Sequence, residues 1–363
     1  MKVIIAGGGT GGHLFPAIAL GEELLRERAA TEVLYVGTRY GFEAKWLPKT
    51  TYRYELYDVH GLLGGRGAMA RMKSVAELAK AIVFARATLK QFSADLVVIA
   101  GGYASAPMGL AAILSRIPLV LMEQNTTPGF SNRMLWRFAE KICVAFAESA
   151  AHFPSAKVVV TGIPVRYQPR ADRKPDSDSP LQILVLGAST GAHRLNLGVL
   201  NAFKIWGNSV INFAVTHQTG EADENPMRTE YQNLPLKAEV IAFIDDVPGA
   251  LYRSDLVVAR SGGGTVTDVA LAARPAIFVP YPFHRDRQQF HNARVIERAG
   301  GAIIIDDDDH LSANLAREIG RLISNRALLR EMGDKAHSAV PSDAARKVAQ
   351  VCFEIVDGRS ISA

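Results

Sequence analysis

The chain has 363 residues, 48% hydrophobic and 21% charged, with a net charge of +5; that length and balance fit two ordinary globular domains and exclude a disordered polypeptide. Its two cysteines, Cys143 and Cys352, lie far apart in apolar surroundings, which excludes a disulfide framework or a zinc site and points to buried thiols in a reducing compartment. The best apolar run, 106–122, is broken by Ser115, Arg116 and Pro118, so no membrane span is expected, and the first run stops at Gly7, too early for a signal peptide.

The positive excess lies before Arg166 and concentrates between Arg39 and Lys90. A basic half implies an anionic partner: nucleic acid, phosphate or a membrane surface.

The chain opens with Val3-Ile4-Ile5-Ala6, then Gly7-Gly8-Gly9-Thr10-Gly11-Gly12-His13, then a helical pattern from Leu14 to Arg28. Strand, glycine turn and helix in that order aim backbone N–H groups at an anion, and His13 stands where the helix begins. A second strand covers Glu32 to Val36 and closes at Gly37-Thr38. A third reads from Tyr52 to Val59, followed by a Gly-rich loop, 60–67, and a helix from Arg71 to Phe92. That helix mixes Ile82, Val83, Phe84 and Leu89 with Arg71, Lys73, Lys80, Arg86 and Lys90. It reads either as an ordinary helix with one solvated face or as one resting on an anionic bilayer. Leu96 to Ala100 leads to Gly101-Gly102-Tyr103, and Leu119 to Met122 to Glu123-Gln124-Asn125, which faces a ligand or caps a helix. A strand at Val158 to Thr161 precedes a proline-rich linker.

The second half repeats the first. Ile183-Leu184-Val185-Leu186-Gly187-Ala188-Ser189-Thr190-Gly191-Ala192-His193 echoes the opening stretch, and Asp255-Leu256-Val257-Val258 before Gly262-Gly263-Gly264 echoes Asp95-Leu96-Val97-Val98 before Gly101-Gly102. Two Rossmann-like α/β domains follow from this repetition. Strands at Ile211 to Val215 and Ala238 to Ile241 precede Asp245-Asp246, a helix start before Val247 to Tyr252. In Gly262-Gly263-Gly264-Thr265-Val266-Thr267-Asp268 a glycine turn enters a helix directly. Its amides suit a diphosphate, and Asp268 suits ribose hydroxyls or simply the helix dipole. After Ala276 to Val279, Gln288, Gln289 and Asn292 offer neutral partners for sugar hydroxyls, or a solvated helix face. Asp306 to Asp309 reads as a loop and helix cap rather than a metal site. The helix from Ala344 to Val356 is expected to pack back on the first domain, with a disordered tail from Asp357.

Taken together, Gly7 through Pro16, Gly101-Gly102-Tyr103, Glu123-Gln124-Asn125, Pro164-Val165-Arg166, Phe243-Ile244-Asp245-Asp246 and Asp286-Arg287-Gln288-Gln289 resemble the GT-B glycosyltransferases. In that family two Rossmann-like domains face each other across a cleft, and the resemblance is in particular to its bacterial cell-wall members. It implies inverting transfer of N-acetylglucosamine from UDP-N-acetylglucosamine to the 4-hydroxyl of the muramoyl pentapeptide of lipid I, giving lipid II. No cofactor and no metal are implied. The implied layout is an acceptor- and membrane-side domain at 1–163, a linker at 164–180, a UDP-sugar domain at 181–341, and a C-terminal helix and tail at 342–363. The protein would sit peripherally on the cytoplasmic face of the bacterial inner membrane, against anionic lipid.

The resemblance also assigns residues. His13 is the candidate base, with Asp286 and Glu123 behind it. Ser189 and the amides of Gly263, Gly264 and Thr265 would stabilise the leaving diphosphate, and Asp268 matches a ribose-binding glutamate. Arg166 and the backbone at Ile244 match uracil contacts, while Asn125, Gln288 and Asn292 match sugar contacts, joined by Gln289. Thr10, Gly11 and Gly12 complete the donor set. Gly8, Gly9, Gly101, Gly102, Tyr103 and Glu123 form the acceptor side. This chain departs from the family pattern at Asp268, at Ile163 where Asn is usual, at Gly263-Gly264, and in the 187–193 turn.

Three other readings are a sibling UDP-sugar lipid transferase, a non-catalytic nucleotide-binding scaffold, and a dehydrogenase. The last wants an acidic residue after the second strand, where Gly37-Thr38-Arg39 stands. No nucleic-acid-reading motif is present, so nucleic acid is not an expected partner.

Overall fold

The structure is a computed structural model, and it describes residues 1–58, 68–102, 105–166, 179–187, 191–207 and 213–362. The Gly-rich stretch 60–67, Tyr103, Ser189 and most of the linker lie outside the described residues. The chain forms two compact units, Met1–Arg166 with Asp343–Ala363, and Tyr167–Ser342.

In the first unit, strands β1 (Lys2–Gly7), β2 (Glu32–Thr38), β3 (Tyr54–Tyr57), β4 (Leu96–Gly101), β5 (Leu119–Glu123), β6 (Lys141–Val144) and β7 (Val158–Val160) form a parallel sheet of order β3-β2-β1-β4-β5-β6-β7. Helices α1 (Gly11–Glu27), α2 (Phe42–Trp46), α3 (Ala68–Phe92), α4 (Ala106–Leu114) and α5 (Phe130–Leu135) connect them. Because both faces are covered, the strands read as unbroken apolar runs. Val3, Ile5, Val98 and Met122 lie in one core with α1, and Ile4, Ala6, Ile99 and Leu121 in the other with α3 and α4.

In the second unit, β8 (Leu181–Leu186), β9 (Phe213–Gln218), β10 (Lys237–Ile241), β11 (Leu256–Ala259), β12 (Ala276–Phe278) and β13 (Ala302–Ile304) form a parallel sheet of order β10-β9-β8-β11-β12-β13. Its helices are α6 (His193–Trp206), α7 (Glu224–Gln232), α8 (Val247–Arg253), α9 (Gly263–Leu271), α10 (Gln288–Arg298), α11 (Leu311–Ile323) and α12 (Arg326–Ser338). Each unit therefore reverses strand order once, between β1 and β4 and between β8 and β11. Ligands of open α/β sheets bind at such switch points, beyond the carboxyl ends of the strands.

The internal echo has a structural counterpart. Lys2 N–H donates to the Asp95 carboxylate at 2.7 Å, and Gln182 N–H to that of Asp255 at 2.8 Å. The same acid thus ties the start of the central strand to its neighbour in both units.

The last helix, α13 (Ala344–Ser362), packs on α1, with Val348, Ala349 and Cys352 buried beside Leu20 and Leu24. It runs through the tail expected to be disordered. Arg28 makes two hydrogen bonds to Asp357, at 2.9 and 2.6 Å, and lies 4.0 Å from the Phe353 ring, while Arg359 pairs with Glu140 at 2.5 Å. These contacts hold turns that composition alone gives no reason to order. Both cysteines are buried and free, and burial pushes the Cys143 thiol up to about 12.

Candidate functional site

At the first switch point, register shifts between Ala6 and Gly7 of β1, which face Ile99 and Gly101 of β4. Ala100 is the extra residue, and the bulge turns its carbonyl to side chains. Gln124 Nε2 donates to that oxygen at 2.6 Å, and His13 Nδ1 lies 3.1 Å from it. A carbonyl only accepts, so Nδ1 carries the imidazole proton and Nε2 carries the lone pair. Burial lowers the His13 pKa; hydrogen bonds with Gln124 and Ala100 and the charge of Glu43 act in the opposite sense. The ring is thus biased toward the neutral form that a base requires.

The glycines here answer to that ring. Gly101 (φ +92°) and Gly102 (φ +80°) occupy the left-handed region. A Cβ on Gly101 would stand 2.8 Å from His13 Nδ1, and one on Gly102 would stand 2.1 Å from the Gly8 carbonyl oxygen. The two turns can touch only without side chains. Ser105 and Ser131 hydroxyls both donate to Gly102 O at 2.8 Å. Gly11 is buried, while Thr10 and Gly12 are exposed at the start of α1.

Glu123 is buried and both its oxygens serve its own loop. The N–H groups of Asn125 and Gly129 donate at 3.0 and 2.9 Å, and Asn132 Nδ2 at 2.8 Å. Burial raises its pKa against those bonds. It therefore shapes the turn that carries half-buried Asn125 and does not present a free base. Arg166, expected at a uracil, instead meets Glu22 at 3.2 Å, with its guanidinium 5.5 Å from the Trp46 ring. The nearest carboxylate claims it.

Glu43 was not among the expected site residues. This residue is fully buried and accepts from Gly9 N–H at 2.8 Å and from the Thr38 N–H and hydroxyl at 2.9 Å each. Its only signal is an acid preceded by glycines whose Cβ positions its carboxylate would overlap: Gly37 and Gly41 nearby, and Gly8 in the first turn.

At the second switch point, α9 begins at Gly263 with Gly262 as its cap, and no side chain caps it. Among the described residues a Cβ on Gly262 or Gly264 would meet nothing within 4 Å, so space lies open beside those two positions. Thr265 lies in that turn and half-buried Asp268 one turn further in. Gln289 and Asn292 stand behind the turn. Gln289 Oε1 accepts from Ser261 N–H at 3.2 Å and Tyr281 N–H at 3.0 Å, and buried Asn292 Nδ2 donates to Ser261 O at 3.2 Å. These bonds fix the loop before α9, whereas Gln288 is half-buried at the start of α10. Exposed Asp286 accepts from Gln288 N–H at 3.3 Å, which makes it a helix-start residue. Asp246 caps α8 through Gly249 N–H at 2.9 Å, beside buried Ile244.

Two buried networks went unread. Asp307 takes Arg260 Nη2 at 2.7 Å and Arg194 Nε at 2.8 Å, which assigns this acid to an ion pair. Among the described residues no three of His, Cys, Asp and Glu are grouped to hold a metal ion. Fully buried His217 bridges Tyr231 OH at 2.8 Å and Asn196 Oδ1 at 3.1 Å, and Asn196 Nδ2 donates to Asp223, which also meets His193. Burial pushes the His217 pKa down to about 3.

Residues 3–144 match the glycosyltransferase family 28 N-terminal domain, and residues 182–348 its C-terminal domain. A UDP-N-acetylglucosamine–N-acetylmuramyl-(pentapeptide) pyrophosphoryl-undecaprenol N-acetylglucosamine transferase of Geobacter sulfurreducens is 40% identical over 353 residues, 96% of this chain and 97% of that protein. A protein of the same name from an Anaeromyxobacter species is 38% identical over 361 residues, 99% and 94% of the two chains. Among solved structures, Acinetobacter baumannii MurG matches with a TM-score of 0.78 and 32% identity, over 96% of this chain and 98% of that one. Staphylococcus aureus MnaA, solved with UDP, shares the fold at a TM-score of 0.71 and 14% identity, over 98% and 97%.

Proposed function

Because the chain belongs to glycosyltransferase family 28, we propose that it transfers N-acetylglucosamine from UDP-N-acetylglucosamine to the 4-hydroxyl of the muramoyl pentapeptide of lipid I, making lipid II. The observation that carries this reading at the site is His13: its Nδ1 lies 3.1 Å from the bulged Ala100 carbonyl at the first switch point, a contact that leaves the lone pair of the neutral ring on Nε2.

In this reading the first unit takes the acceptor. His13 Nε2 removes the proton of the 4-hydroxyl as its oxygen attacks the anomeric carbon, and the bond to the diphosphate breaks in the same inverting step. The second unit takes the donor. The first-turn amides of Gly263, Gly264 and Thr265, with Ser189, receive the charge that gathers on the leaving diphosphate. Asp268 holds the ribose hydroxyls, Gln288 and Asn125 the sugar, and the Ile244 backbone the uracil. Asn292 and Gln289 act through Ser261. Arg166 contributes only on leaving Glu22.

The lipid substrate puts the enzyme at an anionic bilayer, on the cytoplasmic face. Support for that is on α3, where Val83 and Phe84 are 69% and 42% exposed among exposed Lys80, Arg86 and Lys90. No described helix is long and apolar enough to cross the membrane.

The test is calorimetric titration with UDP-N-acetylglucosamine, UDP-glucose, UDP-N-acetylgalactosamine and NADH, followed by turnover with a soluble lipid I analogue. Preference for UDP-N-acetylglucosamine with product formation is expected; preference for another sugar moves the chain to a sibling transferase. Asp268→Asn should weaken donor binding roughly tenfold or more, and unchanged affinity removes Asp268 from the ribose.

A further inference from the structure

Glu43 is a buried anion that the transfer chemistry above does not use. It is 0% exposed, and among the described residues no Lys, Arg or His pairs with it. An uncompensated buried charge costs several kcal/mol, so its three donors have a large penalty to offset. Two of the three come from β2 and its end, through Thr38, and the third is the amide of Gly9. Gly9 is left-handed (φ +93°) and immediately precedes Thr10, whose carbonyl accepts from the first amides of α1, His13 N–H among them. The carboxylate also presses on Gly8, where a Cβ would stand 2.3 Å from Glu43 Oε1. The other side of Gly8 faces the second turn, its carbonyl oxygen lying against Gly102, whose own Cβ position is 3.2 Å from His13 Cδ2. Glu43, the Gly8–Gly9 peptide, Gly102 and the His13 ring therefore form one stack.

We propose that Glu43 is a positioning residue of the transfer reaction: its carboxylate clamps the Gly8–Gly9 peptide and so fixes the turn, the start of α1 and the His13 ring as one unit. Only a carboxylate can do this, because both oxygens must accept; a glutamine would point an amide N–H at Gly9 N–H or at Thr38. Among the described residues the same charge is the one charged group acting on the His13 ring, beside the neutral Gln124 amide and Ala100 carbonyl. It favours the imidazolium that forms when His13 accepts the acceptor's proton. The proposal rests on His13 being the base.

The experiment compares wild type, Glu43→Gln, Thr38→Val and His13→Ala in kcat, in KM for each substrate, in the pH profile of kcat/KM, in UDP affinity and in melting temperature. Displacement of a base by about 1 Å costs on the order of 10²-fold in rate. That loss is expected in kcat for Glu43→Gln, with UDP affinity unchanged. Loss of the negative charge should also move the acid limb of the profile to lower pH, whereas simple loosening that admits water would move it up toward the ordinary histidine value. Thr38→Val keeps the charge and removes one donor; a loss of several-fold in kcat is expected, and it decides the matter if Glu43→Gln does not fold. A folded Glu43→Gln with wild-type kcat and an unmoved limb overturns the proposal, as does wild-type kcat in Thr38→Val. Near-normal turnover in His13→Ala would instead remove the base reading itself.

Discussion

Gly101→Ala places a methyl group against the one contact that sets the His13 tautomer. At φ +92° an alanine is left-handed, which costs about 1–2 kcal/mol. Its Cβ would begin 2.8 Å from Nδ1 and 2.9 Å from Cε1, so the imidazole must retreat by several tenths of an ångström. That retreat stretches the 3.1 Å contact with Ala100 O, and a net hydrogen bond of this kind contributes about 0.5–1.5 kcal/mol. Together these put the destabilisation of the first unit at roughly 1.5–3.5 kcal/mol, and the displaced base should lower turnover on the order of 10²-fold. The assay is radiolabelled N-acetylglucosamine transfer to a lipid I analogue, with calorimetric melting and UDP titration alongside. UDP affinity should hold, because the change is confined to the first unit. Gly358→Ala is the control for adding a methyl: it lies in α13 with nothing within 4 Å of the added Cβ, and a helical alanine there is neutral or mildly stabilising. Wild-type stability and turnover in Gly101→Ala would refute the reasoning, since neither the backbone conformation nor the His13 contact could then hold in the working enzyme.

Asp307→Asn leaves the guanidinium of Arg260 buried without its counter-charge, a change that typically costs about 3–5 kcal/mol. Arg194 is half exposed and adds little, so a calorimetric loss near the lower end, about 3 kcal/mol, is expected in the second unit; a loss under about 1 kcal/mol would mean that water reaches Arg260. His217 gives a pH dependence with a definite sign. Its folded pKa lies near 3, well below the ordinary 6.5, so between those values the unfolded chain binds a proton that the folded one excludes. Stability is full above about 6.5 and falls by about 1.4 kcal/mol per pH unit as pH drops through that window. His217→Gln should flatten the melting-temperature slope between pH 6.5 and 4, and equal slopes for variant and wild type would count against burial as the cause.

The alternation of strand and glycine turn was legible because both units share one pattern: an apolar run buried on two faces ends in glycines at the carboxyl end of a strand. The pairing of Asp95 with Asp255 was visible as an echo, and the structure gives it a common task at the strand start. What could not be read were partnerships that depend on distant segments. Nothing local to Glu43 says that Gly9 will donate to it, nothing near Asp307 names Arg260, and Arg166 looks like a ligand residue until Glu22 stands beside it. Gln289 and Asn292 bond to Ser261 and the loop before α9, a partnership the spacing could not name, because polar side chains after a strand serve a ligand or the loop itself. The bulge at Ala100 was equally silent, although it creates the acceptor on which the His13 assignment turns.

The two glycine turns, alike on paper, have different physical causes. In the first unit Gly101 and Gly102 are required by their own neighbours: positive φ, a histidine ring and a carbonyl oxygen leave no room for a side chain. In the second, Gly262 is not left-handed (φ −61°), and both it and Gly264 face open space. Among the described residues nothing in the unit demands glycine at those places; Gly262 is the cap, and Gly264 lies inside the helix, where glycine costs about 0.5–1 kcal/mol relative to alanine. A feature that the fold does not need and that weakens the helix is best explained by what approaches it from outside. The uncapped amides behind that space are suited to an anion. In the proposed mechanism the first turn is thus organised around a protein side chain that must not move, and the second around a diphosphate that must come and go. That division matches a base held in one unit and a leaving group received by the other.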